Sequence, residues 1–333
     1  MTLNVTVLGG GSWGTTVASV VSKNAPTTIW MRDADVAASI NASSVNEKYL
    51  PGLKLSKRLK ASTDLQQSVA QADVLVMGVP SKAMLETLKT ISTMIRPWVP
   101  VISLAKGFEP VTRLRMTELI EEILPGHPPG VLTGPNLARE IVQGYAAASV
   151  LAMEDESIVG RLRPLFHSGS FRVYSNTDMV GCELGGALKN VIAIAAGMGD
   201  GSGAGVNTRS AVIARGLAET TRLGVVLGGR PETFAGLAGL GDLLTTSTSP
   251  LSRNYTVGSR LGQGEKLEDI IESMNQVAEG VNSSKIVHEM ALENDVEMPI
   301  VSEVYHVCHH GRSAREAFRG LLRLEARAES DPG

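Results

Sequence analysis

The N-terminal segment most constrains the fold, because it joins an apolar strand signal to a glycine-rich turn. The run Asn4–Leu8 is rich in β-branched and apolar residues, and Gly9, Gly11 and Gly14 follow it at GxGxxG spacing. Residues Thr15–Val21 can then open a helix. In such a unit Gly9 permits the tight turn, Gly11 lets backbone N–H groups approach a pyrophosphate, and Gly14 lets the helix pack on the strand. The segment therefore predicts a dinucleotide-binding unit with the phosphates at the helix N-terminus.

The end of the second predicted strand bears on the choice of cofactor. The strand signal Thr27–Met31 is followed by Arg32 and Asp33. An acidic side chain at this point favours the ribose hydroxyl of NAD, whereas an arginine can meet the 2′-phosphate of NADP. Because Arg32 lies nearer the strand end, we expect NADPH or NADH to bind, with NADP(H) favoured. The alternative is that Arg32 is an ordinary solvated loop charge.

Strand and helix signals alternate in the first half of the chain, and helical periods alone fill the second. Further apolar strand runs are 73–79, 99–104, 130–133, 146–152 and 171–174, with helical stretches at 81–94 and 112–124. This alternation predicts a doubly wound, mostly parallel sheet. The later helical stretches are 183–198, 207–227, 251–262, 267–273, 280–293, 299–310 and 313–323. We therefore predict an α/β plus all-α fold, with a Rossmann-type dinucleotide-binding domain over residues 1–180 and an all-α substrate domain over residues 181–333.

Composition narrows the functional class. With 333 residues and 43% hydrophobic content, the chain is long enough for two domains with sizeable cores. A net charge of −3 argues against a nucleic-acid partner and against an anionic membrane surface. Cys182 and Cys308 form no pairing motif, and we find no signal-peptide pattern and no apolar run of about 18 residues. We expect a cytoplasmic protein without stable membrane insertion.

One lysine stands out in the helical half. Lys189 is the only charged residue between Glu183 and Asp200, in a run that is otherwise almost wholly small or apolar. Either its ammonium reaches the surface along the side-chain stem, which is the commoner outcome, or it lies in a cavity where its charge is used. The glycines and alanines around it leave room for a ligand, although they also suit close helix packing. Lys189 is therefore a candidate acid/base.

Other polar groups follow predicted strand ends or glycine turns. Lys106 comes after the strand run 99–104, and Gly134–Asn136 follow the next strand, so both occupy the sheet edge at which ligands bind. Asp242 ends a glycine-rich stretch, and Ser252–Asn254 open a helix with hydroxyl, guanidinium and amide groups suited to a phosphate. The alternatives are a surface lysine, an Asp N-cap and ordinary capping residues.

A histidine-rich segment raises the possibility of a metal site. His306, Cys308, His309 and His310 lie close together, and His306 and His310 share a helical face. Zinc accepts such ligands, but further ligands are not evident nearby. We expect no metal.

Taken in order, the motifs resemble those of the bacterial NAD(P)-dependent glycerol-3-phosphate dehydrogenases over nearly the whole chain. The segments that carry the resemblance are 9–14, 106–107, 134–138, 184–191, 239–243, 252–254 and 276–280. The resemblance implies interconversion of dihydroxyacetone phosphate and sn-glycerol 3-phosphate, supply of glycerol 3-phosphate for phospholipid synthesis, and a homodimer.

The resemblance also implies roles for single residues. Lys189 is then the catalytic base, and the substrate is surrounded by Lys106, Gly134, Asn136, Lys189, Asp242, Ser252, Arg253 and Asn254. The cofactor positions, together with Gly9, Gly11, Gly14 and Asp33 from the motifs above, are Ser12, Trp13, Arg32, Lys106, Ala138, Arg253, Val277 and Glu279.

Three positions depart from the family pattern. Asn136 stands where members usually have Ser or Thr, Leu137 where they have Phe, and Ser247 where many have Cys. The contact that Asn136 makes to substrate is therefore open. Two other functions also stay open: a dehydrogenase of similar build that acts on a β-hydroxy acid, and a nucleotide-sensing regulator without turnover.

The expected chemistry needs one acid/base group. Removing a hydroxyl proton as hydride leaves the same carbon requires a base, and the reverse reaction requires a proton donor. A lysine has a reference pKa of about 10.4, so we expect desolvation and the second cation Lys106 to lower the pKa of Lys189, and Asp242 to orient it.

Overall fold

The computed structural model describes residues 3–274 and 278–322 of the chain. Contacts between residues divide the chain into two compact units, Met1–Met179 and Val180–Gly333.

The first unit is built on an eight-stranded sheet. Its strands are β1 (Val5–Leu8), β2 (Thr27–Trp30), β3 (Leu59–Ser62), β4 (Val74–Met77), β5 (Val101–Ser103), β6 (Pro129–Thr133), β7 (Ala147–Ala152) and β8 (Phe171–Asn176). They lie in the order β3-β2-β1-β4-β5-β6-β7-β8, and all neighbours are parallel except β6 and β7. The first six positions reproduce the order of dinucleotide-binding sheets. The predicted Rossmann-type sheet is confirmed.

Helices cover both faces of this sheet. They are α1 (Ser12–Val21), α2 (Ala34–Ser43), α3 (Leu65–Ala70), α4 (Ser81–Ile91), α5 (Met116–Ile123), α6 (Ala138–Gln143) and α7 (Glu156–Phe166). Because successive strand residues face opposite sides of the sheet, each strand contributes side chains to two hydrophobic cores. Val76 belongs to the same core as Val17 of α1, whereas its neighbours Leu75 and Met77 belong to the core that includes Leu88 of α4.

One strand and one helix start in the first unit differ from the sequence-based prediction. The edge strand β3 buries only Leu59, so it has no apolar run. The helix predicted over 112–124 begins at Met116, because Glu109 accepts hydrogen bonds from the backbone of Val111 and Thr112 and holds the preceding residues in a turn. The predicted ends of the other strands agree with the structure to within two residues.

The second unit is helical throughout its described part. Its elements are α8 (Met179–Gly201), α9 (Val206–Val226), α10 (Pro231–Ala235), a π-helical turn (Leu237–Gly241), α11 (Asp242–Thr248), α12 (Arg253–Gly262), α13 (Leu267–Ser273), α14 (Glu279–Glu293), α15 (Pro299–His309) and α16 (Ala314–Leu322). The sequence patterns miss α10, the π-helical turn and α11, all of which are short. The predicted all-α architecture is confirmed.

Helix α8 is the buried centre of this unit. Its apolar stretch has a mean hydropathy of 1.4, so by length and composition alone it could cross a membrane, contrary to our expectation that the chain has no such run. In the folded chain 89% of this stretch is buried, and it is the one such helix among the described residues. A core helix has the same composition for a different reason, because its apolar side chains face other helices.

Helices α8 and α12 touch along their backbones. A Cβ added to Gly197 would lie 2.2 Å from the Tyr255 carbonyl oxygen, and one added to Gly201 would lie 1.9 Å from that of Ser259. From the other side, a Cβ on Gly258 would lie 2.0 Å from the carbonyl oxygen of Ile194. Real Cβ atoms do not approach so closely, so glycine is required for this packing.

Candidate active site

The glycine-rich turn after β1 leaves space and donors for an anion. Gly9 has a φ of +121°, and a Cβ there would lie 2.5 Å from the Gly78 carbonyl oxygen. A Cβ on Gly14 would lie 2.2 Å from the Gly9 carbonyl oxygen, whereas one on Gly11 would meet nothing within 4 Å. Gly11 is the N-cap of α1, and no side chain in the described chain caps this helix. The backbone N–H groups at its start fit a phosphate, as a dinucleotide cofactor requires.

Ser12 and Trp13 lie on the first turn of α1, close to the start of α6. The Trp13 ring contacts Phe171 edge-on with centroids 6.4 Å apart, and its Nε1 is buried with no hydrogen-bond partner among the described residues. Thr16 donates a hydrogen bond to the carbonyl oxygen of Ala138, the first residue of α6 (3.3 Å). The structure therefore brings three predicted cofactor residues, Ser12, Trp13 and Ala138, to one region of the first unit.

Asn46, which the sequence analysis does not single out, supports the same turn. Its side chain is fully buried, and Nδ2 donates to the Gly10 carbonyl oxygen (3.0 Å) and to Thr15 Oγ1 (2.9 Å). Its Oδ1 accepts from the Tyr49 backbone (3.3 Å). Asn46 lies in an irregular segment, so no periodic pattern could have identified it.

Arg32 and Asp33 have different surroundings. Asp33 is the N-cap of α2: its Oδ1 accepts from the Val36 backbone (3.1 Å), and its Oδ2 pairs with Lys48 Nζ (2.8 Å). The Lys48 ammonium and the Val36 N–H hold the pKa of Asp33 below its usual range. Both carboxylate oxygens are thus engaged, whereas Arg32 is exposed.

Three predicted substrate residues meet at the ends of β5 and β6. Lys106 Nζ donates to the Gly134 carbonyl oxygen (2.9 Å), and Gly134 has a φ of +136°. Asn136 Nδ2 donates to Ser149 Oγ on β7 (3.1 Å). These strand ends form the edge at which open α/β sheets bind ligands.

Lys189 is buried and paired rather than extended to solvent. It is 6% exposed, and its Nζ lies 2.8 Å from Asp242 Oδ1. It also donates a hydrogen bond to Thr246 Oγ1, and Thr246 in turn donates to Asp242 Oδ1 (3.2 Å). The commoner surface alternative for Lys189 is therefore wrong. Thr246 is a further member of this group that the sequence analysis missed, since an isolated threonine carries no signal.

The backbone around Lys189 explains how its partners reach it. A Cβ on Gly185, one turn before Lys189, would lie 2.7 Å from the Ala238 carbonyl oxygen. Glycine there lets the π-helical turn lie against α8, and α11 begins directly after it. Asp242 and Thr246 are four residues apart on α11, so they project from the same face. Asp242 is the first residue of the helix and not its N-cap, which is Gly241.

The start of α12 carries the predicted phosphate anchor. Ser252 is the N-cap and its Oγ accepts from the Tyr255 backbone (3.3 Å), while Arg253 is exposed. Asn254 is buried: it donates to Asn190 Oδ1 (2.9 Å) and accepts from the Gly280 backbone (2.9 Å).

Asn254 thereby links α12 to α8 and to the start of α14. Glu279, a predicted cofactor residue, is the first residue of α14. Val277, another predicted cofactor residue, lies outside the described residues.

The histidine-rich segment is engaged in contacts within the protein. His309 Nε2 lies 3.0 Å from both Ser284 Oγ and the Val281 carbonyl oxygen, and His310 Nε2 lies 2.9 Å from the Tyr305 hydroxyl. Among the described residues there is no group of three or more His, Cys, Asp or Glu placed to hold a metal ion.

Comparison with known proteins gives one family for both units. Residues 4–159 match a family model described as the NAD-dependent glycerol-3-phosphate dehydrogenase N-terminus, and residues 178–319 match the corresponding C-terminus. The glycerol-3-phosphate dehydrogenase [NAD(P)+] 2 of Sphingopyxis alaskensis is 60% identical over 333 residues, which is 100% of both chains. That of Mycobacterium avium is 53% identical over 96% of this chain and 94% of its own.

The chain belongs to the NAD-dependent glycerol-3-phosphate dehydrogenase family. A solved structure of glycerol-3-phosphate dehydrogenase from Coxiella burnetii is 35% identical, has a TM-score of 0.92, and covers 97% of this chain and 99% of its own. The yeast enzyme GPD1 is 28% identical, with a TM-score of 0.84 and coverage of 96% and 99%. The resemblance inferred from the motifs is confirmed.

Proposed function

We propose that this chain is an NAD(P)H-dependent sn-glycerol-3-phosphate dehydrogenase in which Lys189 is the general acid/base. The observation that carries the proposal is the buried contact of Lys189 with Asp242 and Thr246 in the helical unit. A buried ion pair contributes little to stability because both charges lose their hydration, so this pair in an otherwise apolar helix favours a functional role for Lys189. The names of the relatives supply the reaction class.

Each polar group near Lys189 then has a chemical task. The nicotinamide supplies the hydride when dihydroxyacetone phosphate is reduced. The Lys189 ammonium donates a proton to the oxygen that becomes the secondary hydroxyl, and in the reverse direction the amine takes that proton back. Asp242 favours the ammonium by direct attraction, and Thr246 fixes the direction of one N–H bond.

The remaining predicted residues divide between phosphate and cofactor. Arg253, exposed on the first turn of α12, is proposed to pair with the substrate phosphate, and the helix N-terminus beside it would add to the attraction. Lys106 and Gly134 are proposed to contact substrate from the strand ends. In the first unit, Gly11, Ser12 and Trp13 hold the cofactor phosphates, and Arg32 selects the 2′-phosphate of NADP. We assign cofactor binding to residues 1–180 and substrate binding to residues 181–333.

Three further proposals go beyond the site. A homodimer and a role in phospholipid synthesis rest on the resemblance, and a cytoplasmic location rests on the composition and on two cysteines without a pairing motif. The first is checked by light scattering, where a dimer has twice the 35.2 kDa mass of the chain.

The test of the proposed function is a reduction assay on the variant Lys189→Met. We expect the parent to oxidise NADPH or NADH with dihydroxyacetone phosphate and not with β-keto acids. In Lys189→Met, kcat should fall by about 10²- to 10⁴-fold, as is typical for loss of a general acid, while cofactor binding is retained. The control is Lys285→Met, since Lys285 is exposed on α14. Activity of Lys189→Met within about threefold of the parent would exclude Lys189 from the chemistry.

A further inference from the structure

Ser149 connects two strands to the candidate site. It lies on β7, is fully buried, and donates its hydroxyl hydrogen to the Thr133 carbonyl oxygen on β6 (2.7 Å). The same Oγ accepts a hydrogen bond from Asn136 Nδ2 (3.1 Å). Asn136 follows β6 in the turn whose Gly134 carbonyl oxygen accepts from Lys106.

The hydrogen bonds of Ser149 fix which way the Asn136 amide points. A serine hydroxyl has one hydrogen, and here Thr133 receives it. The Ser149 oxygen can therefore only accept from Asn136, which must present its NH₂ group. A flipped amide would place two oxygens 3.1 Å apart with no hydrogen between them. The geometry thus assigns the amide orientation through the network, as such assignments require.

This orientation leaves the carbonyl oxygen of Asn136 without a protein donor. Asn136 Oδ1 is buried and has no hydrogen-bond partner among the described residues. A buried acceptor without a donor is unfavourable, and a ligand that donates a hydrogen bond relieves that penalty. A serine or threonine at this position could either donate or accept, whereas the oriented amide oxygen can only accept.

We propose that Ser149 is a positioning residue that locks Asn136 with its carbonyl oxygen toward the ligand, so that this position selects a hydrogen-bond donor. The inference rests on the proposed function and adds a selectivity to it. The two sources of such a donor are a hydroxyl group of the substrate and the carboxamide NH₂ of the nicotinamide.

The experiment compares each natural partner with an analogue that lacks the donor. Acetol phosphate replaces the C1 hydroxyl of dihydroxyacetone phosphate by hydrogen, and the 3-acetylpyridine cofactor replaces the carboxamide by an acetyl group. In the parent we expect kcat/KM to fall at least about tenfold for one of the two analogues, because a site built to bind a donor rejects a ligand without one. The analogue that is rejected identifies the source of the donor.

Variants then separate positioning from a merely structural role. Ser149→Ala should reduce that discrimination to within about threefold of unity, while Ser149→Thr, which keeps the hydroxyl, should preserve it. Asn136→Ala should also abolish this discrimination. Adding Ser149→Ala to Asn136→Ala should cause no further change in the ratio of kcat/KM between natural partner and analogue, since the two residues act as one unit. If Ser149→Ala fails to fold, Asn136→Ala alone carries the test.

The proposal would be overturned if Ser149→Ala or Asn136→Ala lowered kcat/KM equally for natural partners and analogues, because discrimination would then be undiminished. Failure of the proposed function has a different signature, because the parent itself would not turn over dihydroxyacetone phosphate.

Discussion

Lys189 and Asp242 form a buried ion pair. The Asp242 side chain is 2% exposed and its Oδ1 lies 2.8 Å from Lys189 Nζ, so both charged groups are desolvated. Removing one member of a buried pair leaves the other uncompensated, which typically destabilises a protein by about 3–5 kcal/mol. We therefore expect loss of Asp242 to destabilise the helical unit, in addition to removing its proposed orientation of Lys189.

We propose that Arg32 sets the preference between the two reduced cofactors. Asp33 is engaged as the N-cap of α2 and in an ion pair with Lys48, whereas Arg32 is exposed. We expect Arg32→Ala to raise the Kd of NADPH by about ten- to a hundredfold, the typical value of a charge-assisted bond to phosphate, and to leave NADH binding unchanged. Fluorescence titration of both cofactors measures the difference.

The control for this prediction is Asp33→Ala. Loss of the N-cap should lower stability by about 0.5–2 kcal/mol without a selective effect on NADH. A selective loss of NADH binding in Asp33→Ala, with NADPH binding unaltered in Arg32→Ala, would show that Asp33 holds the ribose.

At the scale of elements, the start of α15 is held by a buried carboxylate. Glu219 of α9 is 2% exposed and accepts hydrogen bonds from the backbone of Ile300 (2.9 Å) and Val301 (3.3 Å). Burial raises the pKa of Glu219 from an ordinary value of 4.5 to about 7, although the two N–H groups oppose the shift. The folded protein therefore keeps this proton at pH values where the unfolded chain has lost it.

The stability contributed by Glu219 should decrease as the pH rises. Below pH 4.5 the group is protonated in both states, and between about 4.5 and 7 only the unfolded chain releases the proton. The parent should thus lose up to about 3 kcal/mol relative to Glu219→Gln between pH 5 and pH 8, at about 1.4 kcal/mol per pKa unit. Urea unfolding at both pH values measures this, with the exposed Glu232→Gln as control. A stability difference that does not vary with pH would contradict the assignment.

The contact between α8 and α12 should tolerate no added methyl group. In Gly258→Ala the new Cβ would lie 2.0 Å from the Ile194 carbonyl oxygen, a backbone atom that cannot rotate away. We expect a loss of about 1–3 kcal/mol or more, in the range of overpacked cores, seen as a lower urea midpoint. The matched control is Gly160→Ala on α7, where a Cβ meets nothing within 4 Å and a gain of about 0.5–1 kcal/mol is expected. Equal midpoints for parent and Gly258→Ala would show that the helices can separate.

The elements that the sequence predicts are those with a long periodic or apolar signal. Strand β4 (Val74–Met77) is fully buried and α8 (Met179–Gly201) is long, so the first has a continuous apolar run and the second an extended helical pattern that predict them. Short elements such as α11 (Asp242–Thr248) depend on tertiary contacts and have no period of their own. The sequence also does not predict that β7 runs antiparallel to β6, because an apolar strand pattern is the same for both strand directions.

At the scale of the molecule, the division into an α/β half and a helical half follows from where the strand signals stop. The candidate residues with an unusual context, such as Lys189 in an apolar helix, could be found in the sequence. Asn46, Thr246 and Ser149 could not, because their importance lies in hydrogen bonds to residues distant in sequence. The resemblance named the ligand positions, but only the structure shows that both oxygens of Asp33 are already engaged.

Under the proposed function, the glycine contact between α8 and α12 limits the length of substrate that fits. Lys189 lies on one of these helices and Arg253 begins the other, so the proposed span from the reacting carbon to the phosphate is set by two main chains in direct contact. Side chains that line a pocket can be enlarged or trimmed, but this spacing changes only when the backbones move. A redesign for longer or shorter hydroxyalkyl phosphates would therefore have to begin at Gly197, Gly201 and Gly258.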